Sequence, residues 1–219
     1  MSREESIVVV GGGGHARVVI ETLLAAGLRV AGYTDPAGTG TLFGGIPCLG
    51  DDGALSSLAR SVRSAIVAVG DNALRARLAR RAEELGFELA SAIHPSARLS
   101  PSAILGRGLA IMANAVLNAG SVVLDNAIIN TAASVDHDCR IGRTVHVAPG
   151  CRIAGYVTVE DGALIGVGSV VGRGRPLRIG ARAVVGSGSV VIQDVPPDAI
   201  VAGNPARPLH RQGRTPERI

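Results

Sequence analysis

Asp136, His137 and Asp138 stand side by side in INTAASVDHDC (129–139), a stretch otherwise filled by small and aliphatic residues. A histidine between two carboxylates is the minimum set for general-base chemistry. One acid holds a ring nitrogen and sets the tautomer, and the other nitrogen is left to take a proton near neutral pH. Adjacent residues of an extended chain leave on opposite faces, so a turn is needed to bring an acid back to the ring. The plainer reading is a solvated turn of charged residues.

A second group lies near the N-terminus. GGGGHA (11–16) follows the apolar run IVVV and precedes a helical pattern, and Gly11-x-Gly13-x-x-Ala16 satisfies a dinucleotide-binding fingerprint, with Asp35 at the end of the next strand pattern. Glycines let the backbone approach a phosphate, and the free N–H groups of a helix start point at it. The segment is too short for a complete dehydrogenase. A half-site is expected instead, binding a nucleoside diphosphate through Gly13, Gly14 and His15, with Asp35 and Gly70 on the same edge of the sheet. His15 either caps the helix or donates to a phosphate, and a glycine turn without a ligand is the alternative.

The elements that must position these residues follow two different periods. Over residues 1–92, short apolar runs alternate with helical stretches: strands at 7–10, 28–33 and 65–69, and helices at 15–26 and 73–86. That pattern predicts a small α/β domain with a Rossmann-like parallel sheet. From Ile93 the period becomes six. Fourteen consecutive steps, Ile93, Leu99, Leu105 and so on to Val171, carry Ile, Leu or Val, and the position four further on is mostly Ala, Ser or Cys. An aliphatic and a small residue per hexad suit a triangular prism of short parallel strands, in which the aliphatics fill the inside and tight corners take the small residues.

With three hexads per coil, residues eighteen apart stack. His137 then lies between Ala119 below and Gly155 above, so its ring overhangs a notch, and it occupies neither of the two inward hexad positions. The phase slips by two residues through GRGRPLR and resumes at Ile179. The prism is expected to span 93–210, and the polar tail 211–219 to lack order.

Bulk properties narrow the class. Only 2% of residues are aromatic and the net charge is +4 with Arg spread along the chain, which argues against nucleic-acid binding. Cys48, Cys139 and Cys151 have no CxxC spacing and read as free thiols, Cys139 at an inward position where a buried thiol is favoured over a nucleophile. The first apolar run is four residues long, so neither a signal peptide nor a membrane span is expected, and the compartment predicted is the cytoplasm.

The hexads resemble those of the left-handed β-helix acyltransferases. GGGGHA, INTAASVDHDC and a terminal GNPAR together are similar to the bacterial nucleotide-amino-sugar N-acetyltransferases over nearly the whole chain. The resemblance implies a left-handed parallel β-helix, a homotrimer, acetyl-CoA in the groove between two prisms, and a UDP- or GDP-linked amino sugar held by the N-terminal domain. It implies direct transfer to a 4-amino group with His137 as base and Asp138 raising its basicity. Asn130 would contact the sugar and the Gly155 N–H would hold the oxyanion. His146, Gly166 and Val167 would line the coenzyme groove, and Arg207 would meet coenzyme phosphates. The slip puts in doubt contacts beyond it. Prism proteins resembling gamma-class carbonic anhydrases bind zinc with three imidazoles, but His137 and His146 fall on different sides here and His94 lies coils away, so no metal is expected. O-acetylation of a sialic-acid-type sugar, or sugar-nucleotide binding without catalysis, are the remaining alternatives.

Overall fold

The computed structural model describes residues 4–38, 45–172 and 174–209. In the N-terminal domain, β1 (Glu4–Val10) pairs in parallel with β2 (Val30–Thr34) and β3 (Val62–Val67), and a short β4 (Glu88–Leu89) extends the sheet beyond β3. Val8, Val9 and Val10 are fully buried, as an uninterrupted aliphatic run must be when both faces of a parallel sheet are covered. The helix α1 (Gly14–Ala25) follows β1, a single turn α2 (Leu55–Leu58) precedes β3, and α3 (Asn72–Glu84) follows it. The three expected strands and two expected helices are all present, with ends shifted by a few residues. β4 is too short to carry a period and forms because β3 offers it an open edge.

The chain then winds into a parallel β-helix with three faces. The first face begins at Ala92–Ile93 and repeats at Ala110–Ile111, Ile128–Ile129, His146–Val147 and Leu164–Ile165. The second carries Val116–Leu117, Ser134–Val135 and Arg152–Ile153, and the third Val122–Val123, Arg140–Ile141 and Val157–Val159. Inward aliphatics such as Leu117, Val123, Ile129, Val135 and Ile141 form one continuous core with the small corner residues Ala115, Ala127, Ala133, Cys139 and Cys151. The phase slip is real: Val159 pairs with Ile179 and Val171 with Val191. The following coil is correspondingly shorter, since Val185 pairs with Val201. GNPAR turns an antiparallel hairpin, Ile200–Gly203 with Ala206–Pro208, that closes the first face. The tail 211–219 lies outside the described residues.

The N-terminal domain covers the first face. Ala16, Val19, Ile20 and Leu23 of α1 pack on Ala92, Ala110, Met112 and Ile128, and the Thr22 hydroxyl meets the Met112 sulfur at 3.5 Å. The corner between the second and third faces is therefore the edge of the prism opposite the N-terminal domain.

Candidate active site

His137 occupies that opposite corner. Asp138 has φ +53°, a left-handed conformation that folds its side chain back, so its Oδ2 sits 2.9 Å from the His137 Nδ1. Asp136 faces elsewhere: it accepts from the Asn118 Nδ2 and from the His137 N–H, each at 2.8 Å. The Asp138 hydrogen bond, opposed by modest desolvation and helped by the charges of Asp136 and Asp138, raises the imidazole above its ordinary pKa. A carboxylate on Nδ1 leaves Nε2 as the basic nitrogen. That edge of the ring lies over Gly155, where an added Cβ would stand 2.6 Å from both Cε1 and Nε2.

The Gly155 N–H has no hydrogen-bond partner among the described residues. The N–H groups at the matching hexad positions of His137 and Arg143 are taken by aspartate side chains. A free donor beside a free basic nitrogen can serve an oxyanion and a proton at one reacting centre. Tyr156, which sequence reasoning passed over, packs edge-on against the His137 ring with centroids 5.0 Å apart, and it does so at φ +63°. Cys139 is buried, donates to the Ala154 carbonyl at 3.0 Å, and its thiol is pushed up to about 11 by burial, which leaves no thiolate for catalysis.

The glycine-loop residues converge at the carboxyl edge of the sheet. Gly13, Gly14, His15, Asp35 and Gly70 line one cavity of about 300 Å³ together with Gly12, Pro36, Asp52, Leu74 and Leu78. The glycine with least room is Gly12: an added Cβ would overlap the Asp35 carboxylate and stand 2.8 Å from its Cβ, whereas Gly13 and Gly14 have nothing within 4 Å. Gly13 starts the helix without a side-chain cap, so His15 is not the capping group.

His15 instead meets the prism. Its ring lies 6.2 Å from that of His146, and both are lowered to about 4, chiefly by desolvation and then by the charge of Arg75. Asn130 Nδ2 is 3.1 Å from the His146 Nε2, while Asn130 Oδ1 accepts from the Thr131 N–H at 2.8 Å. Since the Thr131 N–H can only donate, the amide orientation follows, and the His146 Nε2 must accept. His146 is then neutral with its proton on Nδ1. Asn130, His146 and His15 thus form one group at the domain junction.

Gly166 and Val167 sit on the corner between the first and second faces. Gly166 is buried because the next coil leaves no space for a Cβ, which would stand 2.6 Å from the Ser187 nitrogen, and Val167 is exposed. Arg207 is exposed on the terminal hairpin. His137, Asp138 and Gly155 are therefore together, the glycine-loop residues are together, and the two groups occupy different sides of one protomer.

Arg75 escaped sequence reasoning among the arginines of RARLARR. Its signal was present: Arg75, Ala79 and Ala82 share the buried stripe of α3 at helical spacing.

Comparison with known proteins agrees with this architecture. Residues 6–82 match the PglD N-terminal domain family. The UDP-N-acetylbacillosamine N-acetyltransferase of Bacillus subtilis is 36% identical over 113 residues, a match spanning 50% of this chain and about half, 52%, of that curated relative. The crystal structure of PerB from Caulobacter crescentus, in complex with CoA and GDP-perosamine, superposes with a TM-score of 0.89 at 46% identity, covering 94% of this chain and 97% of that one. The acetyltransferase domain of PglB from Neisseria gonorrhoeae, in complex with acetyl coenzyme A, gives 0.86 at 39% identity over 94% and 99%. Near-complete coverage at such identity, on a βαβ domain joined to a hexad-built β-helix, places the chain among the bacterial nucleotide-amino-sugar N-acetyltransferases.

Proposed function

We propose that the protein transfers the acetyl group of acetyl-CoA to the 4-amino group of a nucleotide-linked amino sugar. The single observation that carries this is the His137 corner: Asp138 on Nδ1, an unoccupied Nε2, and the unpartnered Gly155 N–H beside it. In the reaction, the acceptor amine attacks the thioester carbonyl and His137 Nε2 takes the amine proton. The carbonyl oxygen becomes an oxyanion held by the Gly155 N–H, and collapse expels the CoA thiolate, which recovers the proton from the imidazolium. No acyl-enzyme is needed. A base in this position contributes on the order of 10² to 10⁴ in rate, and an oxyanion donor about 3 kcal/mol.

A GDP-linked acceptor is the first choice. The relative solved with GDP-perosamine is 46% identical over 94% of this chain, whereas the relative whose name specifies a UDP sugar is 36% identical over 113 residues. The nucleotide belongs in the glycine-loop cavity, whose lining includes His15, Asp35 and Gly70. That cavity lies on the N-terminal domain, whereas His137 lies on the opposite edge of the prism. The reading therefore requires a second copy to bring its His137 corner to the nucleotide of the first, which supports a homotrimer with acetyl-CoA between prisms. Gly166, Val167 and Arg207 remain the proposed coenzyme contacts, while His146, grouped with His15 and Asn130 at the domain junction, belongs with the nucleotide-sugar side.

The test is CoA thiol release with GDP- and UDP-linked 4-amino sugars. Turnover with the GDP-linked sugar that falls at least roughly 100-fold in His137→Ala is expected. Undiminished turnover in that variant would remove His137 from the mechanism. In mixed oligomers, His137→Ala subunits and subunits with a blocked nucleotide pocket (Gly12→Ala) should complement each other. Failure of all mixtures would speak against a site shared between copies.

A further inference from the structure

Arg75 is 1% exposed and heads the largest fully buried side chains. Its Nε donates to the Asn126 carbonyl at 2.9 Å, Nη1 to those of Val69 and Gly70 at 3.0 and 3.1 Å, and Nη2 to the Asn72 Oδ1 and the Thr144 carbonyl at 2.7 and 2.8 Å. Every partner is a neutral oxygen. Among the described residues no carboxylate pairs with it. The Asp71 carboxylate acts on it only from beyond contact distance, and burying a guanidinium without a directly paired anion is costly, because carbonyl dipoles satisfy its N–H groups without cancelling its charge.

Its position explains the cost. Val69 and Gly70 line the glycine-loop cavity, as do Leu74 and Leu78 of the helix that bears Arg75. Within a trans peptide the C=O and N–H point in opposite directions. By holding the Val69 and Gly70 carbonyls, Arg75 turns the N–H groups of Gly70 and Asp71 away from itself, and neither has a hydrogen-bond partner among the described residues. On the other side of the cavity, the N–H groups of Gly12 and Gly13 are likewise unpartnered.

We propose that Arg75 is a positioning residue for the diphosphate of the nucleotide: its buried charge, which no carboxylate contacts, and its grip on the Val69–Gly70 carbonyls set the Gly70 N–H on the cavity wall, and the Asp71 N–H next to it, as a counterpart to the glycine loop. The cavity thereby selects a nucleoside diphosphate over the bare nucleoside. This rests on the nucleotide-sugar reading above. A purely structural arginine, clamping α3 to the prism through Asn126 and Thr144, would affect diphosphate and nucleoside alike.

The experiment is calorimetric binding of GDP and of guanosine to the full chain and its variants. Wild type should prefer GDP strongly. Arg75→Gln should weaken GDP by roughly tenfold or more while leaving guanosine unchanged, and Arg75→Lys should recover part of the preference by restoring the charge. In kinetics, the same variants should raise KM for the nucleotide sugar and leave KM for acetyl-CoA in place. Equal losses for GDP and guanosine, or an unchanged GDP affinity in folded Arg75→Gln, would overturn the proposal. Should Arg75→Gln not fold, Asp71→Pro serves, since φ at Asp71 is −66° and suits proline. Compared with Asp71→Asn, which has the same charge, it lacks only the cap and the N–H; weaker GDP binding is expected, and equal binding would overturn the proposed N–H counterpart. Wild type that binds neither GDP nor UDP would overturn the nucleotide reading itself, before any variant is compared.

Discussion

Gly155→Ala isolates the position of the His137 ring, the proposed base, from every other property of the site. The new Cβ would stand 2.6 Å from Cε1 and Nε2 of His137 and 3.2 Å from Cδ2. Carbon contacts settle near about 3.5 to 4.0 Å, so the ring must retreat by about 1 Å. The His137 side chain is 45% exposed and free to swing outward, so the fold should lose little. Gly155 lies outside the left-handed region, so alanine is tolerated there and the backbone N–H proposed as the oxyanion donor is kept. Displacing a reacting group by about 1 Å costs roughly 100-fold. The expected result is therefore kcat lowered roughly 100-fold, with KM for acetyl-CoA and the melting temperature close to wild type, read by CoA thiol release and thermal denaturation. Because the loss acts through His137, the same substitution made in the His137→Ala background should cost little more. A kcat within about threefold of wild type, or a full further loss in the double variant, would refute the claim that the imidazole must lie over Gly155.

Three further outcomes are expected. Asp138→Asn should move the acidic limb of the kcat/KM profile to lower pH and lower its plateau, because the carboxylate that raises the His137 pKa is gone; an unmoved limb would show that Asp138 does not tune the base. His15 and His146 are lowered to about 4 from 6.5, so the unfolded chain binds their protons first as pH falls, and stability present above about 6.5 should be lost towards pH 4, on the order of 3 kcal/mol per histidine. Denaturation at a series of pH values checks this, and His146→Gln should flatten the curve; an equally steep curve would contradict the burial of that histidine. Tyr156→Asn should stabilise the protein by about 1 kcal/mol, since φ +63° suits asparagine better than a bulky side chain, yet slow turnover as the ring edge leaves His137. Unchanged stability would mean that the corner is not strained.

Much of this was readable from the chain because a β-helix is nearly one-dimensional. Each hexad repeats one local solution, so Ile93 to Val171 announce both the prism and the stacking of Gly155 over His137, and even the slip before Ile179 shows as a broken phase. The glycine loop was readable for a related reason: a strand, a turn and a helix start are contiguous, so their convergence on one cavity follows from local structure.

Contacts between the two domains were not readable, because nothing local encodes them. His15 and His146 are far apart in sequence, and only the docking of α1 on the first face makes them neighbours, dries them, and fixes the His146 tautomer through Asn130. Arg75 shares its helix with exposed arginines of identical chemistry. Its burial and its carbonyl partners at Asn126 and Thr144 depend on where two coils of the prism pass α3. The return of Asp138 to His137 likewise needs the left-handed turn at that corner. Periodicity and motif, which are local, therefore determined the two architectures and the placing of His137 over Gly155. Desolvation, tautomer and the separation of base from nucleotide pocket arise between segments distant in sequence, and only the tertiary structure decided them.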